Sequence, residues 1–237
     1  MIGIICAMQE ELKEIKAGME PDGELSYSGV DFFLGKIGGQ EIVCAVCGVG
    51  KVFAAICAQT MILKFHPSAI LNVGVAGSLS DSLGVADIVI ARQLVQHDMD
   101  VTALGVPRGK ILGSDIQYIP TTEDLRDRLF SSIMMLNAEG AFGEREVKAL
   151  QGTIASGDQF ISSKAKKQLI VEEFKAAACE MEGAAIAQVC YVNRLPFCVL
   201  RAISDSADDS AKMDYPAFVE LAAANTAKVI RCFLKNL

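Results

Sequence analysis

Short, almost wholly apolar segments alternate with segments of helical spacing along the chain. Residues 2–7 form the first apolar segment, and residues 10–19 then carry leucine, isoleucine and methionine three or four positions apart. Apolar runs without polar alternation are typical of strands covered on both faces of a sheet. The pattern predicts a single α/β domain over residues 1–237, with a mixed, mostly parallel β-sheet flanked by helices.

The individual elements can be predicted from apolar runs, helical periodicity and turn residues. The turn residues Ser28-Gly29 and Gly38-Gly39 indicate hairpins between residues 25 and 46. The predicted strands are 2–7, 69–73, 87–91, 147–155, 176–179 and 197–203, and the predicted helices are 10–19, 54–65, 121–137, 164–174, 181–192 and 215–234.

Charge and cysteine usage narrow the class of protein. The 22 Lys and Arg against 29 Asp and Glu leave a net charge of −7, without a basic patch, so we expect no nucleic-acid partner. The eight cysteines lie mostly in apolar runs, which indicates reduced thiols and a cytoplasmic protein. No apolar stretch reaches the length of a membrane span or of a signal peptide, so we expect no membrane partner.

Several common ligand motifs are incomplete in this chain. The glycines near residue 50 lack the third glycine of a dinucleotide-binding loop, and Val52 stands where a P-loop requires a hydroxyl. The two histidines, His66 and His97, have no partner at metal-ligand spacing. We therefore expect neither a metal ion nor a cofactor.

Two carboxylates at the ends of predicted strands are candidates for acid–base chemistry. Asp205 follows a largely apolar strand, where loss of water raises the pKa of a carboxyl group and lets it act as a general acid. Glu11 lies in the first turn of a helix, where the dipole favours the ionised form that a general base needs. Taken singly, Glu11 could be an ordinary helix-start residue and Asp205 a helix cap. Together, two carboxylates in different environments are what glycoside hydrolysis commonly uses.

Six blocks of sequence stand out, five of them at predicted strand ends or helix starts and one in the polar region after the predicted strand 87–91. They are Ala7-Met8-x-Glu10-Glu11, Gly48-Val49-Gly50-Lys51-Val52, His97-Asp98-x-Asp100-Val101-Thr102-Ala103, Ser156-Gly157-Asp158-x-Phe160-Ile161, Glu180-Met181-Glu182-x-x-Ala185-Ile186-Ala187 and Arg201-Ala202-Ile203-Ser204-Asp205-x-Ala207-Asp208. In this order they resemble the 5′-methylthioadenosine/S-adenosylhomocysteine nucleosidases of the purine nucleoside phosphorylase superfamily, over about residues 2–235. The resemblance implies hydrolysis of the N-glycosidic bond of methylthioadenosine, S-adenosylhomocysteine or 5′-deoxyadenosine, with release of adenine and a place in methionine salvage.

The resemblance assigns catalytic roles residue by residue. Asp205 would protonate N7 of adenine, and Glu11 would activate the water that attacks the anomeric carbon. Ser204 would orient Asp205, and Arg201 would help to order Glu11 and the water.

It also assigns the substrate contacts. Glu182 would hold the ribose hydroxyls, with Met181 packed against the sugar. Phe160 would lie on the purine, and the backbone of Ile161 would read its Watson–Crick edge. The positions that would wall the ribose and the 5′ substituent are Met8, Val49, Val101 and Tyr215.

Two residues depart from the family pattern. Val75 stands where the family usually has a serine near the attacking water. Leu104 replaces an aromatic residue that the family often presents across a dimer interface to the partner's tail pocket. We expect a homodimer, since the apolar helix 181–192 and the loop around Leu104 both suit such an interface.

Three classes of function compete at this point. A nucleosidase is favoured because Gln9, Glu10 and Glu11 follow the first strand, where phosphorylases of the superfamily place arginine and glycines, and carboxylates repel a phosphate dianion. A nucleoside phosphorylase, or a nucleosidase for aminofutalosine or futalosine, is the alternative. A non-catalytic nucleoside-binding module is disfavoured by the presence of both Glu11 and Asp205.

Overall fold

The computed structural model describes residues 1–208 and 210–237, without the side chains of residues 212–214 and 217. The strands in chain order are β1 (Ile2–Cys6), β2 (Glu20–Tyr27), β3 (Val30–Ile37), β4 (Gln40–Val46), β5 (Ala69–Ser78), β6 (Ile88–Gln96), β7 (Ile119–Pro120), β8 (Ala149–Ser156), β9 (Ala176–Glu180) and β10 (Phe197–Asp205). The helices are α1 (Gln9–Lys16), α2 (Lys51–Phe65), α3 (Glu123–Ala138), α4 (Lys164–Phe174), α5 (Gly183–Val192) and α6 (Ala211–Lys235).

Three parallel strands, β1, β5 and β10, form the centre of the sheet. Every residue of these strands is buried, as expected for strands covered by helices on both faces. β5 lies between β1 and β10 and pairs in parallel with both. The three strands therefore end at the same edge of the sheet.

The sheet closes on itself at one side. β10 pairs with β5 and also with β6, and the path from β6 through β8 and β9 returns to β5, so these five strands form a ring. β1, β4, β3 and β2 extend the sheet away from the ring. The prediction of an α/β fold with a mixed sheet is confirmed. Antiparallel pairs are more frequent than expected, because the β2–β4 meander and the closure of the ring add them.

Helices cover both faces of this sheet. α1, α3 and α6 enclose one apolar core with residues such as Leu12, Leu129 and Phe233. α2 and α5 enclose the other core, where Met61 and Ile186 are fully buried. Among the described residues, no helix is both long enough and apolar enough to cross a membrane.

Candidate active site

A cavity of about 390 Å³ opens at the edge of the sheet where β1, β5 and β10 end. This is the position where ligands bind in open α/β sheets. Its walls include two buried carboxylates, Glu11 after β1 and Asp205 at the end of β10. The other residues expected at the site that line this cavity are Met8, Val49, Val75, Phe160, Met181, Glu182, Ser204 and Tyr215.

Glu11 is held in place by three backbone amides. Ala7 N and Met8 N donate to Oε2 at 2.8 and 3.0 Å, and Val75 N donates to Oε1 at 3.0 Å. Its carboxylate also approaches Gly74 so closely that a Cβ there would lie 2.5 Å from Oε1. The position of Glu11 thus depends on the absence of a side chain at residue 74.

Burial is the main influence on the acidity of Glu11. It raises the pKa, while the charge of Arg201 and the three amides oppose that rise only in part. From the helix dipole we expected an ionised carboxylate, and the effect of burial on its pKa was not considered. A carboxylate with a raised pKa is a stronger base, which suits proton abstraction from water.

Asp205 is the second buried carboxylate of the cavity and is 3% exposed. The hydroxyl of Ser204 donates to Oδ2 at 2.8 Å, and Ala207 N donates to Oδ1 at 2.8 Å. Ser204 therefore lies where it can orient Asp205. Gly77 leaves room for this carboxylate, since a Cβ there would lie 2.9 Å from Oδ1.

Arg201 lies behind the cavity and is 1% exposed. Its Nη2 donates to Glu180 and, at 2.6 Å, to Oδ1 of Asn72. Ser156 donates its hydroxyl to the other oxygen of Glu180. Burial alone would raise the pKa of Glu180, but the positive charge of Arg201 lowers it, so Arg201 and Glu180 form an ionised pair. Arg201 thus acts on the cavity through its charge, with Glu180 as its direct ion-pair partner.

Glu182 brings a third carboxylate to the cavity. Gly50 N donates to its Oε1 at 2.9 Å, and its Oε2 lies 3.9 Å from Arg201 Nη2. Burial, and then the neighbouring charge of Glu180, raise the pKa of Glu182 to about 7. The proton on this group is therefore exchanged near neutral pH.

The remaining wall is apolar and aromatic. Phe160 is 47% exposed, and its ring meets Tyr215 edge-on with centroids 5.8 Å apart. The hydroxyl of Tyr215 donates to Met8 Sδ at 3.0 Å, and burial raises its pKa to about 12, so it stays protonated. Such a wall can stack a flat heterocycle and enclose an apolar substituent.

Four of the expected residues do not line this cavity. Ile161 is buried and lines a neighbouring cavity together with His97 and Phe174. Arg201 lies behind the carboxylates, as described. The other two, Val101 and Leu104, lie on the loop after β6, where Leu104 is 69% exposed.

Sequence reasoning missed the residues that support these carboxylates. Asn72 is fully buried in the middle of β5, where it donates to Ile5 O at 2.9 Å and accepts from Arg201. A polar side chain inside an otherwise apolar strand was the available signal, because buried polar groups require partners. Val75 departs from the family serine, yet its amide still bonds Glu11. In the part of the chain that the structure describes, no group of three His, Cys, Asp or Glu side chains could hold a metal ion.

Known proteins are similar to this chain over almost its entire length. The model of the phosphorylase superfamily matches residues 1–235. A 5′-methylthioadenosine/S-adenosylhomocysteine nucleosidase of Shewanella piezotolerans is 36% identical over 237 residues, 100% of this chain and 99% of that protein.

Two solved structures from Helicobacter pylori are similar in fold and in sequence. A mutant 5′-methylthioadenosine/S-adenosylhomocysteine nucleosidase with 5′-methylthioadenosine in its active site has a TM-score of 0.91 at 39% identity, covering 100% of this chain and 98% of that chain. A futalosine hydrolase has a TM-score of 0.91 at 39% identity, covering 100% of this chain and 97% of that chain.

Proposed function

Because the chain belongs to the 5′-methylthioadenosine/S-adenosylhomocysteine nucleosidases of the phosphorylase superfamily, we propose that it hydrolyses the N-glycosidic bond of 5′-substituted adenosines and releases adenine. The observation that carries this function is the pair of buried carboxylates, Glu11 and Asp205, in one cavity. Their separate hydrogen-bond environments suit a base and an acid.

In the proposed reaction, each carboxylate moves one proton. Asp205 gives its proton to N7 of adenine, so the electrons of the breaking C1′–N9 bond are accepted by a neutral leaving group. Glu11 takes a proton from water, and the hydroxide oxygen forms the new bond to C1′. The products are adenine and a 5-substituted ribose, and both carboxylates return to their starting states by exchange with solvent.

The negative charge of the cavity favours this route. A glycosidic bond breaks through a transition state in which the sugar ring carries positive charge. Glu11 and Glu182 would lie near that charge, and Glu182 would accept hydrogen bonds from the ribose hydroxyls. The same carboxylates oppose the entry of a phosphate dianion, which favours water as the nucleophile. Phe160 would lie on the adenine, with the Ile161 backbone at its edge, and Met181 against the sugar.

The function is tested by following adenine release from four substrates. We expect turnover of methylthioadenosine and S-adenosylhomocysteine, and 5′-deoxyadenosine should also react because it shares adenine and ribose. Aminofutalosine belongs in the same assay, since similarity to a futalosine hydrolase makes it the second candidate substrate. Failure of all four substrates to release adenine would disprove the proposed function.

Glu182 should make nucleoside binding dependent on pH. Its pKa is raised to about 7, so below that pH the protonated form dominates and a ribose diol must displace a proton to bind. The dissociation constant should therefore rise as pH falls, by up to about tenfold per unit below the pKa, and level off above it. Calorimetry of S-adenosylhomocysteine with the inactive Asp205→Asn variant, from about pH 6 to about pH 8, measures this.

The matched control for this dependence is Glu182→Gln, added to the same inactive variant. The amide cannot titrate, so the part of the pH dependence that comes from Glu182 should disappear. An unchanged profile in the double variant would assign the titration to another group.

We further propose that the enzyme is a homodimer. α2 and α5 carry exposed apolar side chains, and the most exposed are Val52 at 70%, Val192 at 70% and Leu63 at 61%. The exposed Leu104 on the loop after β6 would reach the partner's site, and Val101 lies on the same loop. A second copy of the chain is the occupant that would cover this apolar area.

The dimer is tested by sedimentation of the wild type and of Val52→Asp. The wild type should sediment as a dimer, and a buried carboxylate in the interface should shift the variant towards a monomer of 25.3 kDa. A wild type that is fully active as a monomer would disprove the homodimer.

The cellular setting is the last part of the proposal. All eight cysteines carry free thiols, and seven of them are buried, which supports work in the reducing cytoplasm. Removal of methylthioadenosine would place the enzyme in methionine salvage.

A further inference from the structure

Three residues from separate parts of the chain meet beside the cavity. The backbone N of Lys51, the first residue of α2, donates to Oδ1 of Asp158 at 2.8 Å. Its side-chain Nζ donates to Oδ1 of Asp98 at 2.6 Å, and the other oxygen of Asp98 accepts from Asp158 N at 2.9 Å. Lys51, Asp98 and Asp158 thus form a closed circuit of hydrogen bonds, called the clasp below.

The clasp is partly shielded from water. The side chains of Lys51 and Asp98 are 18% and 15% exposed, and Nζ also donates to Gln96 at 3.1 Å. Burial alone would raise the pKa of Asp98, but the hydrogen bonds from Lys51 and Asp158 hold it below its usual value. Charge-assisted hydrogen bonds of this kind are the stronger ones in proteins.

Two residues of the clasp, Asp158 and Lys51, lie close in sequence to residues that contact the nucleoside site. Asp158 precedes Phe160 by two positions, in the segment without regular structure between β8 and α4. Gly50 precedes Lys51, and its amide bonds Glu182. Gly50 has φ of 101°, and a Cβ there would lie 3.1 Å from Oδ1 of Asp158, so this junction requires glycine.

We propose that the clasp is a positioning device that holds the Phe160 segment and Glu182 at a fixed separation, so that the adenine and ribose parts of a nucleoside are bound together. This rests on the proposed function. None of the three clasp side chains lines the cavity, so they act through Phe160 and Glu182. Lys51, Asp98 and Asp158 lie in sequence blocks that resemble the family, but the resemblance assigned no role to these three residues, and the clasp gives them one.

The test compares Lys51→Met with the wild type. Methionine keeps much of the length of the side chain and removes the charge. The dissociation constant of free adenine, measured by calorimetry, should rise about five- to tenfold, because Asp98 loses its charge-assisted hydrogen bond from Lys51 and then holds Asp158 N, in the segment that carries Phe160, less firmly. KM for methylthioadenosine should rise by a similar factor, while kcat should fall less, because Glu11 and Asp205 are untouched. Lys51→Arg keeps the charge and should restore most of the affinity.

The control and the pairwise test use other residues near the same segment. Lys166 Nζ donates to Gln159 at 3.0 Å at an exposed position, so Lys166→Met removes a cation beside this segment and should leave adenine affinity unchanged. Asp98→Asn should resemble Lys51→Met, and the double variant should be no worse than the more affected single variant.

Three results would overturn the clasp. They are unchanged adenine affinity in Lys51→Met, equal losses in Lys166→Met, and additive losses in the double variant. If the first of these results came with a lowered melting temperature, these contacts would be structural only. Absence of turnover in the wild type would disprove the proposed function instead, and adenine binding would still report on the clasp.

Discussion

Asp205→Asn is expected to lower kcat by about 10²- to 10⁴-fold, because the amide cannot give the departing adenine a proton. The fold should survive the change. One side-chain oxygen of Asp205 accepts from Ala207 N, and the other accepts from the Ser204 hydroxyl. An asparagine can keep its oxygen on Ala207 N, and the hydroxyl can turn to accept from the new NH₂ group.

Steady-state kinetics and thermal melting of the same preparation measure this effect. Ser204→Ala is the matched control, since it removes the orienting hydrogen bond and keeps the acid, so its loss of kcat should be much smaller. An Asp205→Asn variant with more than about a tenth of wild-type kcat would exclude Asp205 as the general acid.

Glu11→Gln is expected to lower kcat by a similar factor of about 10²- to 10⁴-fold, through loss of the base. A glutamine oxygen can still accept from Ala7 N and Met8 N. Its NH₂ group would then face Val75 N, which loses its acceptor. The variant should be somewhat less stable, yet adenine and transition-state analogues should still bind, because Phe160 and Asp205 are unchanged.

Calorimetry separates binding from chemistry in this variant. Glu10→Gln is the matched control, since Glu10 is the neighbouring exposed carboxylate, and it should retain nearly full activity. Loss of adenine binding together with activity in Glu11→Gln would make Glu11 a structural residue instead of the base.

The local elements of this fold follow from local sequence patterns. The helix predicted at 164–174 is observed as α4 at Lys164–Phe174, and the strand predicted at 176–179 is β9 at Ala176–Glu180. The closure of the sheet could not be predicted in this way. It depends on the pairing of β10 with both β5 and β6, which is a contact between distant segments that no local period reports.

The same distinction between local and long-range information applies to the candidate site. Strand-end position made Glu11 and Asp205 candidates for acid–base chemistry from the sequence, beside an ordinary helix-start role for Glu11 and a helix-cap role for Asp205. The two partners of Arg201 could not be predicted from the sequence, because β10, β5 and β9 must be assembled before Glu180 and Asn72 come within reach of its guanidinium. The clasp likewise joins residues 51, 98 and 158, which only the fold brings together. Burial raises the pKa of Glu11, and the extent of that burial also depends on the assembled fold.

The central claim is that the two carboxylates direct water, and not phosphate, to the anomeric carbon. The most direct measurement is the identity of the sugar product when methylthioadenosine is turned over in excess inorganic phosphate. We expect free 5-methylthioribose and adenine, at a rate that phosphate does not increase. Formation of 5-methylthioribose 1-phosphate, or a rate that requires phosphate, would contradict it.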